Sequence, residues 1–268
     1  MRIIITGGNS GVGKATAAAM AAAGHEVVIA CRSVSKGRDA VKTMSGDVKV
    51  AELDLADLAS VRKFAETVDW TDVLVNNAGV LGLPLTRTAD GFEAHMGTNH
   101  LGHFALTCLL GDRTHDRVVT VASSNHALAR MHFDDLNWRR RRYRPMAAYN
   151  ESKLANMLFV HELGQRGRTA YLSDPGMTDT GITKDGSALL RWTARVLAPR
   201  IAQTPEQGAR STIQAISTDL PNGAYIAPGG LLHKSGKPRA TKVAAKARDS
   251  NSSSRLWQLS VELTGCDW

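Results

Sequence analysis

Cysteine is scarce in this chain of 268 residues, and long apolar runs are absent from it. Its three cysteines, Cys31, Cys108 and Cys266, are far apart and form no C-x-x-C pair. An odd number of scattered thiols is typical of a reduced protein without a disulfide framework or structural zinc. No apolar run approaches the roughly 18 residues of a membrane span, and no basic and apolar leader precedes the first predicted strand. We therefore expect a cytoplasmic protein with no membrane span and no metal site.

Aromatic residues are also few, at 5% of the chain, although the net charge is +8. The excess charge comes from five arginines in 139–144 and six cations in 234–248. Removing these 11 cations from the total of 33 leaves 22 against 25 acidic residues, a net charge of −3. Nucleic-acid binding needs a basic face, often with aromatic side chains between the cations, so we expect no nucleic-acid partner. The two segments are solvated loops or, alternatively, they attract an anionic ligand or an acidic surface.

Short apolar runs rich in β-branched residues alternate with helical stretches along the chain, which is typical of an α/β protein with a parallel sheet. The hydrophobic fraction of 43% is enough for a full core. Neither an internal repeat nor a linker is evident, so we predict one domain over 1–268. Within it, 125–146 is predicted as an insert loop, and 183–203 as a substrate lid because it mixes apolar and basic residues. The predicted strands are 2–6, 26–31, 48–53, 72–75, 117–122, 169–173 and 224–227.

A glycine-rich turn, Thr6-Gly7-Gly8-Asn9-Ser10-Gly11-Val12-Gly13, follows the first predicted strand and precedes a helix predicted over 14–23. Strand, glycine turn and helix aim backbone N–H groups and a helix N-terminus at phosphate. The layout predicts a Rossmann-type, doubly wound sheet of about seven parallel strands with helices on both faces. Gly8 to Lys14 also fits the start of a P-loop, but Ala15 stands where an NTPase carries a Ser or Thr hydroxyl for magnesium.

The end of the second predicted strand indicates which dinucleotide would bind. NAD sites usually carry an acid about 20 residues after the glycines, to hold the ribose 2′-hydroxyl. Cys31 stands at that place, and Arg32 follows it. Because a guanidinium suits a 2′-phosphate, NADP(H) is favoured over NAD(H). The alternative is an ordinary exposed arginine at a strand end.

Polar residues stand at the ends of several later strands, where ligands of open α/β sheets bind. Two other residues, Tyr149 and Lys153, lie one turn apart in the helix predicted over 147–166. A cation beside a phenol lowers the phenol's pKa towards a usable acid/base, although such pairs also occur as simple packing. His100 and His103 could share a metal, but no third ligand is evident and core histidines explain them as well. The strand-end residues are Asp54, Asn76-Asn77-Ala78-Gly79, Ser123-Ser124-Asn125 and Asp174-Pro175-Gly176.

Taken together, these motifs resemble the short-chain dehydrogenase/reductase family over nearly the whole chain. The matching pieces are Thr6-Gly7-x-x-x-Gly11-x-Gly13, Asp54, Asn76-Asn77-Ala78-Gly79, Asn99, Ser124, Tyr149-x-x-x-Lys153 and Pro175-Gly176. Finer features are similar to the retinol dehydrogenase-like branch, including the interval of 25 residues from Ser124 to Tyr149. The other pieces of that finer resemblance are Ala30-Cys31-Arg32, Thr98-Asn99-His100-Leu101-Gly102-His103-Phe104, Phe133-Asp134-Asp135-Leu136-Asn137 and Ser152-Lys153-Leu154-Ala155-Asn156.

The resemblance implies an NADP(H)-dependent oxidoreductase that interconverts a carbonyl and an alcohol by hydride transfer. Tyr149 would be the general acid/base and Ser124 would bind the substrate oxygen. Lys153 would lower the phenol's pKa and hold the nicotinamide ribose, and Asn99 would anchor a proton-relaying water. The implied cofactor-binding residues are Gly7, Asn9, Ser10, Gly11, Val12, Gly13, Arg32, Asp54, Leu55, Asn77, Ala78, Gly79, Tyr149, Lys153, Pro175, Gly176, Thr178 and Thr180.

Two departures from the family pattern affect these expectations. Ser10 stands where NADP-preferring members often have a second cation, so the preference would depend mainly on Arg32. Ser173-Asp174 stands where the branch usually has a histidine before Pro-Gly. The substrate is expected to be a small, apolar carbonyl or alcohol, and retinoid, steroid, fatty aldehyde, polyketide and xenobiotic compounds all remain open. The alternative function is a non-catalytic NADP(H)-binding regulator or scaffold, and the chain would be a monomer or a homo-oligomer.

Overall fold

A computed structural model of the protein describes residues 1–178, 203–230 and 235–268. Its centre is one sheet of eight strands in the order β3-β2-β1-β4-β5-β6-β7-β8. The strands are β1 Arg2–Thr6, β2 Glu26–Cys31, β3 Val48–Glu52, β4 Thr71–Asn76, β5 Thr114–Val121, β6 Ala170–Ser173, β7 Tyr225–Pro228 and β8 Pro238–Thr241. The helices are α1 Gly11–Ala22, α2 Val34–Val41, α3 Leu58–Glu66, α4 Gly102–Leu110, α5 Pro145–Gln165, α6 Pro205–Ser217 and α7 Ser250–Thr264.

Seven of the strands are parallel, as predicted, and β8 pairs with β7 in the antiparallel direction. The prediction missed β8 because its sequence, Pro238 to Thr241, has a proline and an arginine and no apolar alternation. It also missed α2, which follows β2. That helix is short and polar, and a glycine interrupts it.

Both faces of the sheet are covered, which explains the continuous apolar runs of the strands. Successive residues of β1 alternate between the two faces: Ile4 contributes to one core, and Ile3 and Ile5 to the other. Residues of α3, α4, α5 and α7 pack in the first core, and residues of α1 and α6 in the second. The ends of β1 and β4 lie side by side at the point where the strand order reverses, which is where ligands of such sheets bind.

The segment before α4 is not an ordinary α-helix. A π-helix, Met96–Leu101, precedes α4, and its wider turn contains Asn99. Such turns occur mostly as local insertions in α-helices, frequently at functional sites. Within the described ranges, no helix is both long and apolar enough to cross a membrane.

The predicted insert, 125–146, is attached to the rest of the protein by its own charged residues. Arg141 lies over the ring of Trp138, at 3.8 Å from the ring centroid, and pairs with Asp135 at 3.2 Å. It also pairs with Glu151 of α5, a carboxylate that is buried, at 2.9 Å. The other four arginines of the run are exposed. Arg141 therefore has a structural role. Neither alternative considered for this run, a solvated loop or a segment that attracts an anionic partner, describes that role.

Candidate active site

The glycine turn between β1 and α1 is held in a shape that larger residues would not permit. Gly7 has φ +66° and Gly11 has φ +53°, in the left-handed region. A Cβ on Gly13 would lie 2.6 Å from the carbonyl oxygen of Gly7 and closer still to the amide nitrogen of the Asn77 side chain. The backbone of the turn is therefore free to approach a ligand closely.

The start of α1 leaves backbone donors for a ligand. Ser10 is the N-cap residue, in extended conformation, and its side chain caps none of the first N–H groups of the helix. The N–H groups of a helix's first turn have no partner within the helix, and they carry the positive end of its dipole. An uncapped N-terminus beside a glycine turn fits the pyrophosphate of a dinucleotide.

The Asn-Asn-Ala-Gly turn after β4 is attached directly to the glycine turn. The hydroxyl oxygen of Thr6 accepts hydrogen bonds from the N–H groups of Asn77 and Ala78, both at 2.9 Å. The Asn77 side chain donates to the Thr6 carbonyl at 2.7 Å. Nε2 of His103, from α4, lies 2.8 Å from the same hydroxyl. These contacts fix the two predicted cofactor-binding turns relative to each other.

The two predicted adenosine-side residues lie at neighbouring strand ends. Arg32 follows β2 and is exposed, and within the described ranges its guanidinium forms no ion pair. Asp54 follows β3 and is half-buried, and its carboxylate accepts the N–H of Ala56 at 2.9 Å. Leu55 is buried under Gly102. The guanidinium of Arg32 is thus available for an anionic group.

Tyr149 lies in the second turn of α5 and is 8% exposed. Burial raises the pKa of its phenol to about 12, although an interaction with the Ser123 side chain lowers it in part. The ammonium of Lys153 lies 5.8 Å from the centroid of the Tyr149 ring. We expected this cation to lower the phenol's pKa, but here the loss of hydration outweighs any such effect.

Lys153 is buried and faces the end of β5. Its ammonium donates a hydrogen bond to the carbonyl of Val121 at 2.9 Å. Burial lowers the pKa of Lys153 to about 8. The amine is near Gly79, since a Cβ there would lie 3.8 Å from Nζ. Lys153 therefore connects α5 with the end of β5 and lies close to the Asn-Asn-Ala-Gly turn.

Asn99 links the π-helix to the same turn and to α5. Its amide oxygen accepts the N–H of Val80 at 2.8 Å, and its amide nitrogen donates to the Val80 carbonyl at 3.1 Å. The same nitrogen donates to the Ser152 hydroxyl at 2.9 Å, which in turn donates to the Tyr149 carbonyl at 2.7 Å. Asn99 is fully buried, and its amide oxygen lies near Gly79, as does the ammonium of Lys153. The water-anchoring role of Asn99 stays a prediction.

The two serines after β5 have different surroundings. Ser123 is the one whose side chain interacts with the phenol of Tyr149, and its hydroxyl also accepts the N–H of Asn125 at 3.3 Å. The predicted Ser124 is half-buried, and its N–H donates to the carboxylate of Asp174 at 2.6 Å. The role predicted for Ser124 thus stays a prediction.

The Pro-Gly turn after β6 is the last predicted piece of the site. Gly176 has φ +69°, and its N–H donates to Asp174 at 2.8 Å. The Thr178 hydroxyl donates to the Pro175 carbonyl at 2.8 Å, so the turn is closed by its own side chains. Thr180 and, apart from Gln203, the predicted lid 183–203 lie outside the described residues.

Sequence reasoning missed several buried groups beside Tyr149. Glu93 and His95 form a buried pair at 2.7 Å, the Tyr143 hydroxyl donates to Glu93 at 2.9 Å, and the His95 ring stands edge-on to Tyr149. Asp174 was noted as a strand-end residue and as a departure from the family pattern, without a role, and Tyr225 was not noted. No local pattern signals these contacts, because the partners come from different elements.

The two histidines considered as metal ligands are core residues. His100 bonds to the Ser260 hydroxyl at 3.0 Å and His103 to Thr6. Burial lowers the pKa of His100 to about 3 and that of His103 to about 4. A cavity of about 870 Å³ lies elsewhere, lined by Met131, Phe133, Lys246 and neighbouring residues, and none of the predicted catalytic residues lines it.

Known proteins resemble this chain along almost its full length. The family model for short chain dehydrogenase matches residues 1–188. Retinol dehydrogenase 12 of Mus musculus is 39% identical over 287 residues, which cover 99% of this chain and 87% of that protein. The polyprenol dehydrogenase of Homo sapiens is 35% identical, covering 98% of this chain and 84% of its own length.

Solved structures agree with the sequence comparison. An uncharacterised protein from Mycobacterium paratuberculosis superposes with a TM-score of 0.86 at 42% identity, covering 99% of this chain and 94% of that one. Salutaridine reductase from Papaver somniferum, at 19% identity and a TM-score of 0.65, shares the fold over 84% of this chain and 98% of its own. The chain therefore belongs to the short-chain dehydrogenase/reductase family, in its retinol dehydrogenase-like branch, and is an oxidoreductase of alcohol and carbonyl groups that uses a nicotinamide cofactor.

Proposed function

We propose that this protein is an NADP(H)-dependent oxidoreductase that interconverts an apolar carbonyl and its alcohol, with Tyr149 as general acid/base. The observation that carries the proposal is the buried set of Tyr149, Lys153 and Asn99 beside the Asn-Asn-Ala-Gly turn, which is itself bonded to Thr6 at the start of the glycine turn. The phenol, the ammonium and the amide converge from two helices at the carboxyl ends of β1, β4 and β5. We also infer that 1–268 form one domain, since a single sheet runs from β1 to β8.

The residues of the site have complementary tasks. When bound, the cofactor supplies or accepts the hydride. Tyr149 gives a proton to the substrate oxygen in the reducing direction and takes it back in the oxidising direction. Ser124 donates a hydrogen bond to the same oxygen, where negative charge develops. A fixed donor requires little reorganisation as that charge forms, which is why its placement matters.

Lys153 and Asn99 would support Tyr149 in distinct ways. The buried ammonium supplies positive charge and a donor for a ribose hydroxyl, as the family resemblance implies. Asn99 fixes the turn after β4 through two hydrogen bonds to Val80, so Lys153 faces a rigid backbone. Because Asn99 also contacts Ser152 of α5, it links the position of that turn to the position of Tyr149.

We infer a preference for the phosphorylated cofactor from Arg32. Its exposed guanidinium follows β2, where a 2′-phosphate would lie, and the neighbouring Asp54 is already engaged by Ala56. An arginine can hold a phosphate with two parallel hydrogen bonds. Since Ser10 adds no second charge, we expect a moderate ratio of kcat/KM for NADPH over NADH.

The relatives favour an isoprenoid alcohol or aldehyde as substrate. Their printed names specify retinol and polyprenol, which are both long, apolar alcohols. The identity of about 35–39% extends over the whole chain rather than over the cofactor half alone. We therefore propose this substrate class in preference to the other apolar carbonyl compounds that the sequence left open.

A substrate panel would test the proposed function. Retinal, a short polyprenal, a steroid ketone and a xenobiotic ketone would each be offered with NADPH and, in parallel, with NADH, and turnover followed at the absorbance of the reduced cofactor. We expect turnover of an isoprenoid aldehyde with NADPH. The matched control is Tyr149→Phe, which should lower kcat by about 10²–10⁴-fold because only the proton donor is lost.

Cofactor binding separates the possible outcomes. Tyr149→Phe should bind NADPH with unchanged Kd, measured by protein fluorescence. Wild-type turnover by this variant would contradict the assignment of Tyr149. Tight NADPH binding with no turnover of any carbonyl would instead favour the non-catalytic regulator.

A further inference from the structure

Asp174 directly follows β6 at the active site, and only 2% of its surface is exposed. Its Oδ2 accepts hydrogen bonds from the N–H of Ser124 at 2.6 Å and from the hydroxyl of Tyr225 at 2.7 Å. Its Oδ1 accepts the N–H of Gly176 at 2.8 Å. The carboxylate of Asp174 accepts all three hydrogen bonds and donates none, which is the pattern of an ionised carboxylate.

The three donors come from three consecutive strands of the sheet. Ser124 follows β5, Gly176 follows β6 and Tyr225 lies in β7. The backbone N–H of Asp174 also donates to the carbonyl of Ile226 in β7 at 2.8 Å. One buried carboxylate thus joins the turn Ser123-Ser124-Asn125, the serine turn, to the Pro-Gly turn. Any shift of Asp174 would move the N–H of Ser124, and with it the turn that contains Ser123 and Ser124.

The charge of Asp174 acts on both titratable residues of the active site. It raises the pKa of Lys153, although burial has the larger and opposite effect. It also raises the pKa of Tyr149, in the same direction as burial. A buried anion favours the protonated form of every neighbour, because the low dielectric strengthens the interaction.

Other groups face Asp174, Tyr149 and Lys153, and they do not reverse the effect of Asp174 on the two pKa values. The His95 ring is edge-on to Tyr149 and is bound to Glu93, whose own charge has the same sign as that of Asp174. His103 is neutral near pH 7, since burial lowers its pKa to about 4. Among the described residues, Tyr225 donates to Asp174, and the ring of His126 is edge-on to Tyr225.

We propose that Asp174 is a positioning residue that clamps the serine turn onto the Pro-Gly turn and, as a buried anion, keeps Tyr149 a phenol and Lys153 an ammonium. The inference rests on the proposed function of Tyr149. At neutral pH the site then holds the proton that carbonyl reduction consumes, and reduction is the direction for which it is prepared. Oxidation would require a phenolate, which Asp174 disfavours.

Titration of Tyr149 tests the charge effect without any substrate. The ultraviolet absorbance of phenolate in wild type minus that in Tyr149→Phe, followed from pH 7 to 10.5, isolates this one tyrosine. We expect Tyr149 to be less than half ionised at pH 10 in wild type, and ionised at lower pH in Asp174→Asn. A wild-type midpoint below pH 10 would overturn the inference even if Asp174→Asn failed to fold.

The pH profile of kcat/KM for reduction tests the same point in the working enzyme. In Asp174→Asn we expect the alkaline limb to move down by about one pH unit, because removing a negative charge lowers the proton affinity of both Tyr149 and Lys153. Tyr225→Phe is the matched control, since it removes a hydrogen bond to the same carboxylate and leaves the charge. The alkaline limb of the Tyr225→Phe profile should stay at the wild-type pH. An equal shift in both variants, or none in Asp174→Asn, would reduce Asp174 to a structural role.

The two tests separate this inference from the proposed function. If the absorbance titration behaves as expected but no carbonyl is turned over, the proposed reaction fails while the charge effect of Asp174 stands. If turnover is found and the titration midpoint is low, the reaction stands and the role of Asp174 is wrong.

Discussion

In the proposed function the chemistry depends on the phenol of Tyr149, and either of two adjacent serines could be its partner at the substrate oxygen. The side chain of Ser123 interacts with the phenol, whereas Ser124 is held by its backbone N–H on Asp174. Ser123 is extended, and Ser124 begins a short 3₁₀-helix. The family pattern predicts Ser124 as the donor to the substrate oxygen, whereas the contact with the phenol favours Ser123.

Replacing each serine by alanine would distinguish their roles. Ser124→Ala should lower kcat about 10²–10³-fold, the usual loss for a donor to a developing oxyanion. Ser123→Ala should lower kcat less than tenfold and raise the phenol's pKa, because its hydroxyl assists the phenolate. Initial rates with NADPH and the identified aldehyde would measure both. If the larger loss followed Ser123→Ala, the substrate oxygen would be assigned to Ser123 instead.

At the scale of elements, the start of α1 and the turn after β4 form one rigid unit. The side chain of Asn77 occupies the space beside Gly13, and its nitrogen donates to Thr6 of β1. The helix, the first strand and the fourth strand are therefore joined at a single contact. A cofactor that binds the glycine turn would meet a surface that is already in place, which lowers the cost of ordering on binding.

Gly13→Ala should disturb this unit. Its Cβ would meet the Gly7 carbonyl and the Asn77 amide, and overpacking of this kind costs about 1–3 kcal/mol. The matched control is Gly164→Ala in α5, where the nearest atom would be at 3.4 Å, an ordinary contact. That change should be neutral or should stabilise by about 0.5–1 kcal/mol. Urea unfolding and NADPH binding would be measured for both, and equal behaviour of the two variants would contradict the packing argument.

At the scale of the whole molecule, the core on one face of the sheet contains buried groups that must remain uncharged. His100 packs against Phe159 of α5 and bonds to Ser260 of α7, and His103 bonds to Thr6 of β1. Burial lowers their pKa values to about 3 and about 4. In the unfolded chain an ordinary histidine titrates near ~6.5. Below that pH the unfolded chain binds protons that the folded chain does not, so acid favours unfolding.

The free energy of unfolding should consequently fall as the pH falls from about 6.5 towards 4. Each of the two histidines contributes a slope of up to about 1.4 kcal/mol per pH unit within that window. His100→Gln should remove one such contribution, so its slope between pH 6 and 4.5 should be shallower than that of wild type. Urea unfolding at several pH values gives the slopes. His115→Gln, at an exposed position, is the control and should retain the wild-type slope.

The sequence predicted the parts of the fold and site that depend on local spacing. The glycine turn, the Tyr149–Lys153 pair and the seven parallel strands are defined by residues close together in the chain. Asp174 was visible only as an unusual residue, because its partner Tyr225 comes 51 residues later. The helix α2 was missed because Gly37 interrupts its pattern. That glycine is needed since a Cβ there would lie 2.5 Å from a methyl group of Val50.

The antiparallel strand β8 has a consequence for how copies of the protein can meet. Together with β3 it forms the border of the sheet, and both border strands carry side chains that discourage pairing with another strand. β8 begins with Pro238, which lacks a backbone N–H, followed by Arg239, and β3 carries Lys49 and Glu52. Proteins use proline and charge at such borders against aggregation. Extension of the sheet from one molecule into the next is therefore disfavoured at either border.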